Sequence, residues 1–264
     1  MAPALTVVTI CRNVRASLRE TAASVLAQDV DRSDIEYLVV DGASTDGTAD
    51  ELAALAARGV RTVSEPDRGI SDAMNKGVRL ATGRWIAHLH AADTYLPGAL
   101  ARVQREIARD DADVLCGWMI KAEDTGDVLC RCDPGQLELD MAINHPATFV
   151  RREWLERFPF DTALKNAMDY DFFLRAKLAG ARFRVMPFPV SRFAAGGQSE
   201  RSLWRTLLET HEIRRRRLPR GWSRSRAHLV ALWLKGSTRV VLQRAGLEPL
   251  VAWYRRNVAY PPKG

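Results

Sequence analysis

No apolar run in the 264-residue chain approaches the roughly 20 residues needed to cross a bilayer as a helix. The apolar opening, Leu5–Ile10, is only strand-sized and lacks the cleavage site of a secretory leader. Cysteine is scarce: Cys11, Cys116, Cys130 and Cys132 are too few and too scattered for a disulfide framework, and read as reduced thiols of a cytosolic protein. Cys130 and Cys132 with Cys116 lack a nearby fourth ligand for a structural metal. There is no G-x-x-x-x-G-K-[S/T] phosphate loop and no G-x-G-x-x-G after the first apolar run, which removes the commonest ATPase and dehydrogenase readings. No G-x-S-x-G elbow points to a serine hydrolase. Internal repeats and low-complexity linkers are absent as well.

Positive charge is scarce over most of the length and abundant at the end. Residues 201–264 carry 15 Lys and Arg against 3 Asp and Glu, whereas the whole chain is only +7, so the rest is mildly acidic. An acidic body argues against nucleic acid as a partner, and the basic tail points to an anionic surface. After a break at Pro219–Gly221, Trp222, Trp233 and Trp253 sit among basic residues with the pattern of amphipathic interfacial helices. The expected layout is a main domain over 1–200 and a basic helical tail over 201–264. The protein is expected in the cytoplasm, peripherally attached at the inner face of the cytoplasmic membrane.

What is present is an alternation of strands and helices. Leu5–Ile10, Ile35–Val40, Val60–Ser64 and Trp85–His90 are β-rich runs separated by helical periodicity, the pattern of a mostly parallel α/β sheet. Ser64–Asp93 organises the rest: a loop marked by Pro66 and Gly69, a helix over Ile70–Ala81, a left-handed stop at Gly83, a buried strand, and a polar step ending at Asp93. Pro97 starts a helix to about Arg109. Val114–Ala122 and Val128–Cys132 suggest a hairpin, Phe149-Val150 a short strand, and Asn166–Gly180 a helix. Beyond Pro187 the chain reads as irregular. In open α/β sheets ligands bind beyond the carboxyl ends of the strands, so Asp41, Asp67 and Asp93 should face one crevice, with Asp169 and Asp171 available from later in the chain.

Four ordered blocks carry a resemblance. Val39-Val40-Asp41-Gly42-Ala43-Ser44-Thr45-Asp46-Gly47-Thr48, Ser64-Glu65-Pro66-Asp67-Arg68-Gly69-Ile70, Asp72-Ala73-Met74-Asn75-Lys76-Gly77 and Ala167-Met168-Asp169-Tyr170-Asp171 are similar to blocks of family 2 glycosyltransferases, over roughly residues 4–200. The closest likeness is to the branch of bacterial polysaccharide and colanic-acid-type assembly. The resemblance implies the GT-A fold and an inverting transfer from a nucleotide-diphosphate sugar, a UDP-sugar being favoured, to a hydroxyl of a glycan or lipid-linked glycan. The alternatives are a sugar-phosphate nucleotidyltransferase of similar fold, which would want a Gly-rich phosphate loop where Cys11-Arg12-Asn13 stands, and an inactive nucleotide-sugar-binding relic.

The resemblance also implies roles. Thr9 and Asn13 would border the nucleotide. Asp41 and Asp67 would contact base and ribose, while Asp46 closes its own loop as an Asx-turn. Lys76 would reach a phosphate or lie solvated on its helix. Asp93 would stand at the family's metal-binding step, holding Mn²⁺ or Mg²⁺. That step usually reads Asp or Asn, a small residue, Asp or Gly, then Asp; this chain has His90-Ala91-Ala92-Asp93, and only the last acid is kept. His90 would be a softer ligand suited to Mn²⁺, or a strand-end histidine bonded to backbone. Asp169 is the expected general base, with Asp171 competing for that role or for helix capping. His145 would line the acceptor side, and Arg192 with a Gly196, Gly197, Ser199 loop would close over the diphosphate.

Overall fold

The computed structural model describes residues 3–123, 126–194 and 202–218. The expected helices of the tail beyond 218, and the loop with Gly196, Gly197 and Ser199, lie outside the described residues. The chain parts into two compact units, Met1–Glu209 and Thr210–Gly264, and everything below concerns the first.

The first half follows the alternation closely: β1 (Leu5–Cys11), α1 (Arg15–Leu26), β2 (Ile35–Asp41), α2 (Thr48–Ala56), β3 (Arg61–Ser64), α3 (Ile70–Leu80) and β4 (Trp85–His88). These four strands are parallel, with β1 between β2 and β4 and β3 outside β2. β1 is buried along its whole length, which is why it reads as a continuous apolar run rather than an alternation. One of its faces packs on Leu18, Ala22 and Val25 of α1. The other meets α3 so closely that a Cβ on Gly77 would lie 2.4 Å from Val8. Each fully buried aliphatic side chain of this core contributes about 1.5–3 kcal/mol.

The second half mixes strand directions. It comprises β5 (Thr94–Tyr95), α4 (Ala99–Ile107), β6 (Val114–Glu123), β7 (Gly126–Cys130), β8 (Thr148–Arg151), α5 (Arg152–Arg157), α6 (Met168–Leu178), β9 (Phe183–Phe193) and α7 (Leu203–Arg217). Among the described residues the strand order is β3-β2-β1-β4-β8-β6-β9-β5, with β7 paired to β6. The expected hairpin is β6–β7.

Three local expectations are corrected. Gly83 does not adopt a left-handed stop; α3 ends when Ala81 turns extended at φ −61°, ψ 138°. Glycine is needed at 83 because the chain passes against β1, where a Cβ would lie 2.5 Å from the Thr6 nitrogen. The fourth strand stops at His88, so His90 belongs to the turn beyond it. The chain is not irregular after Pro187. Residues 183–193 form the long strand β9, and Pro187 and Pro189 fall where its pairing with β6 slips, so their missing N–H groups are absorbed by a bulge.

Candidate active site

Parallel strands send their carboxyl ends to one rim, and the loops after β1, β3 and β4 meet there around a cavity of about 800 Å³. Its walls include Cys11 and Arg12 after β1, Asp67 and Gly69 after β3, His90 and Asp93 after β4, His145 before β8, and Lys165, Asn166 and Asp169 at the start of α6. Asp67, Asp93 and Asp169 are therefore brought together from three distant stretches. Strained backbone marks this rim: Asn13 after β1, Ala43 after β2 and Ala92 after β4 all hold positive φ, at 53°, 56° and 89°.

The β1–β3 side is dominated by carboxylates already bonded within the protein. Asp41 is buried; its carboxylate accepts from the Ser44 and Ser64 hydroxyls and, at 3.0 Å, from the Ser44 amide. Burial works to raise its pKa, but these hydrogen bonds outweigh burial and hold it below the usual carboxylate value. Asp41 is not among the cavity-lining residues, so it shapes the loop beneath the site. Asp67 does reach the cavity. Its Oδ1 accepts from the Gly69 amide at 2.9 Å, and it lies over Gly42, where a Cβ would fall 2.2 Å from Oδ2. Asp46 closes its own turn by accepting from the Thr48 amide at 3.1 Å, and it also receives the Arg15 amide.

Several expected nucleotide contacts have other partners. Thr9 is fully buried and shares a 3.1 Å hydrogen bond with the Tyr37 hydroxyl, so it faces the core and not a ligand. Asn13 ties two strand-end loops together: its Oδ1 accepts from the Thr45 amide at 2.8 Å and its own amide donates to Ser44 Oγ at 2.7 Å. Lys76 is neither solvated nor aimed at a phosphate. It is 8% exposed, and its Nζ donates to the Pro66 carbonyl at 2.6 Å and pairs with Glu65 at 3.0 Å, which fixes the loop carrying Asp67. Arg192 lies on β9 and is held by both carboxylate oxygens of Asp127 on β7, so it is not poised over a diphosphate.

The turn after β4 is built differently. Thr21 of α1 accepts from the Ala92 amide at 3.0 Å and donates to the Asp93 carbonyl at 2.8 Å, which pins the turn. Asp93 is 4% exposed, and among the described residues its carboxylate accepts from the Ala194 amide at 3.2 Å. Burial pushes its pKa up to about 7. The His90 ring packs against His88 and His145, with centroids 6.4 and 5.3 Å away, and its Nδ1 is buried with no hydrogen-bond partner among the described residues. Desolvation holds all three imidazoles neutral, His90 at about 3 and His145 at about 4. An orphaned imidazole nitrogen and an under-partnered carboxylate on one cavity fit a divalent cation. Among the described residues no group of three His, Cys, Asp or Glu could hold a metal, so such an ion would draw its remaining ligands from water and a diphosphate.

Asp169 occupies the first turn of α6 and lines the cavity. Burial raises its carboxyl to about 6, outweighing the hydrogen bonds it receives from the Tyr170 amide at 2.8 Å and from its own backbone amide. Asp171 is separate: it is 2% exposed and bonded to Arg175 at 2.7 Å, one turn along the helix. The two acids that compete in sequence are thus divided by environment, Asp169 toward the cavity and Asp171 into a helix-stabilising pair.

Three contributors went unread in the sequence. Glu209 of α7 accepts from the amides of Lys165, Asn166 and Ala167 at 2.8–3.2 Å, capping the segment that delivers Asp169. Asn75 clamps Phe160 through both its side-chain atoms, donating at 2.8 Å and accepting at 2.9 Å, which anchors α3 to the run leading to α6. Lys165 joins the cavity wall beside Gly69. The Asn75 block was visible as a motif, but nothing in the sequence pairs Glu209 with Asn166.

A parallel α/β half joined to a mixed half, with acids gathered at the strand ends, is the GT-A architecture of glycosyltransferases. Residues 6–159 match the family described as Glycosyl transferase family 2, and the chain belongs to that family. The chain is a glycosyltransferase. It is 29% identical over 263 residues to a "PGL/p-HBAD biosynthesis glycosyltransferase" of Mycobacterium tuberculosis, covering 97% of this chain and 99% of that one. Its fold is similar to that of the mannosyltransferase PcManGT from Pyrobaculum calidifontis, solved with GDP-Man and Mn²⁺, at TM-score 0.68 and 21% identity over 97% of this chain and 82% of that one. It is also similar to S. aureus TarS 1–349 in complex with UDP-GlcNAc, at TM-score 0.67 and 19% identity over 79% of this chain and 64% of that one.

Proposed function

We propose that the protein is an inverting glycosyltransferase that takes its sugar from a nucleoside-diphosphate donor, a UDP-sugar being favoured, and delivers it to a hydroxyl acceptor. The observation that carries this reading is Asp169, a desolvated carboxyl lining the same cavity as Asp67 and Asp93. Asp67 binds the nucleoside end. Asp93, with His90, would hold a divalent cation, such as the Mn²⁺ bound with GDP-Man in the PcManGT structure. When bound, that ion supplies positive charge to the departing diphosphate.

The acceptor oxygen bonds to the anomeric carbon as the bond from that carbon to the diphosphate oxygen breaks. The nucleoside diphosphate leaves with the electron pair, and the acceptor proton passes to an Asp169 carboxylate oxygen. Attack opposite the leaving group inverts the anomeric configuration. A proton-accepting carboxylate of this kind contributes roughly 10²–10⁴-fold, and a pKa near 6 keeps it ionised yet basic at neutral pH.

A panel of UDP-, GDP- and dTDP-sugars, with and without Mn²⁺, tests the donor by thermal shift and by release of nucleoside diphosphate. The UDP-sugars should stabilise most, and more so with the ion. Equal shifts for all nucleotides, or none, would contradict the reading. The basic surplus of residues 201–264 supports a peripheral place at the inner face of the cytoplasmic membrane. Protein cut after 218, which keeps Glu209, should lose binding to anionic vesicles, and equal partitioning with the full chain would remove that idea.

A further inference from the structure

The chain has six methionines, and four of them, Met74, Met119, Met141 and Met168, line the active-site cavity. Met74 is fully buried behind the wall, whereas Met119 and Met141 are half-buried. With Ile143 and Phe193, the last three form an apolar stretch drawn from β6, the loop before β8, the start of α6 and the end of β9. The strand order fixes where this stretch lies. β6 is three strands from β1, past β4 and β8, which at about 4.8 Å per strand is roughly 14 Å from the Cys11–Arg12 loop. A donor seated at the β1–β3 end, with its diphosphate at Asp93, leaves the apolar end for the acceptor.

The polar groups of that end are Asn144, His145, Lys165, Asn166 and Asp169, and two of these are already engaged within the protein. The Asn144 side-chain amide is committed to the Gly117 and Cys130 carbonyls, at 3.1 and 2.9 Å. The Asn166 amide nitrogen donates to the Ser202 carbonyl and to Thr206, at 3.2 and 3.0 Å. The acceptor that stands out is the Asp169 carboxylate; Asn166 Oδ1 beside it is buried and has no hydrogen-bond partner among the described residues. The carboxylate suits one or two hydroxyl protons. Each further sugar hydroxyl desolvated on such a wall would cost about 1–3 kcal/mol, whereas thioether side chains adapt readily to an apolar surface.

We infer that the acceptor is an amphiphile: the reacting hydroxyl is carried on, or one sugar ring away from, an apolar aryl or alkyl body lying along Met119, Met141, Ile143, Met168 and Phe193. This rests on the transferase reading above but is narrower than a lipid-linked glycan, in which the apolar part can sit many sugars from the reacting end.

Methyl, phenyl and octyl glycosides of the same sugars, kept below their micelle concentrations, provide the test. Their binding to the full-length protein with UDP is measured by calorimetry, and their use as acceptors by KM. The phenyl or the octyl glycoside should bind at least about tenfold more tightly than the methyl glycoside, and the order of the first two separates an aryl from an alkyl body. Met119→Gln and Met141→Gln should erase most of that preference, while Leu129→Gln, exposed on β7 away from the cavity lining, should keep it. Equal binding of all three glycosides, binding of none, or a preference that survives both methionine changes would overturn the proposal. UDP-sugar binding and hydrolysis in the same samples report separately on the transferase reading.

Discussion

The carboxylates on the two sides of the cavity differ in their company. Asp41, on the β1–β3 side, is surrounded by donors, and its pKa is held below the ordinary value. Asp93 is buried and Asp169 half-buried, each with few donors, and their pKa values rise to about 7 and about 6. Burial opposes ionisation at all three; hydrogen bonding prevails only at the first. The first environment builds a loop, and the second keeps a group reactive. Perturbation without compensation is the mark of a functional acid.

The sharpest way to break this comparison is to remove charge on each side. Asp169→Asn should lower turnover by roughly 10²–10⁴-fold and leave donor affinity intact, the pattern of an interaction made only in the transition state. Asp171→Asn should instead cost about 1–3 kcal/mol of stability with little loss of turnover, because Asp171 is engaged with Arg175. Kinetics and melting curves of the two variants separate the assignments, and reversed results would move the base to Asp171.

Asp93→Ala should weaken UDP-sugar binding at least about tenfold when metal is present and much less in EDTA. Titration calorimetry under both conditions reads this directly. If wild-type binding is indifferent to EDTA, Asp93 has another task.

Glu209→Ala comes next, since it frees the Lys165, Asn166 and Ala167 amides that seat Asp169. A displaced base should reduce kcat about 10-fold or more while donor affinity holds. An unchanged kcat with a lowered melting temperature would make Glu209 purely structural. The smallest kinetic effect belongs to Asp41→Asn, which should lower the melting temperature by weakening the Ser44 and Ser64 contacts and leave kcat nearly unaltered. A large loss of kcat with unaltered stability would erase the contrast between the two sides.

Much of this was legible along the chain. Local periodicity and turn residues gave the β-α alternation through residue 88 nearly to the residue, because each unit closes on short-range contacts. Asp67, Asp93, His145 and Asp169 were readable as acids or a histidine at element ends, and all four line the cavity. Orientation was not legible. Thr9 and Lys76 sit at plausible positions, but Tyr37, Pro66 and Glu65 claim their polar atoms, and those partners are set by packing. β9 was hidden because Pro187 and Pro189 argue against a strand unless a bulge receives them. Glu209 was hidden because its partners lie some forty residues earlier.

The central claim, that a desolvated Asp169 takes the acceptor proton, is tested most directly by the pH dependence of kcat/KM. Above its pKa the carboxylate is ionised and able to accept, so the rate should rise with pH through about 6 and then level. The same shift has an opposite thermodynamic sign. The folded state binds this proton more tightly than the unfolded chain, so Asp169 contributes stability that falls as pH rises from the ordinary carboxyl value of 3.8 to about 6. The predicted result is an acid limb with a midpoint near 6 in the wild type and its absence from the residual rate of Asp169→Asn; the same limb persisting in Asp169→Asn would contradict the account.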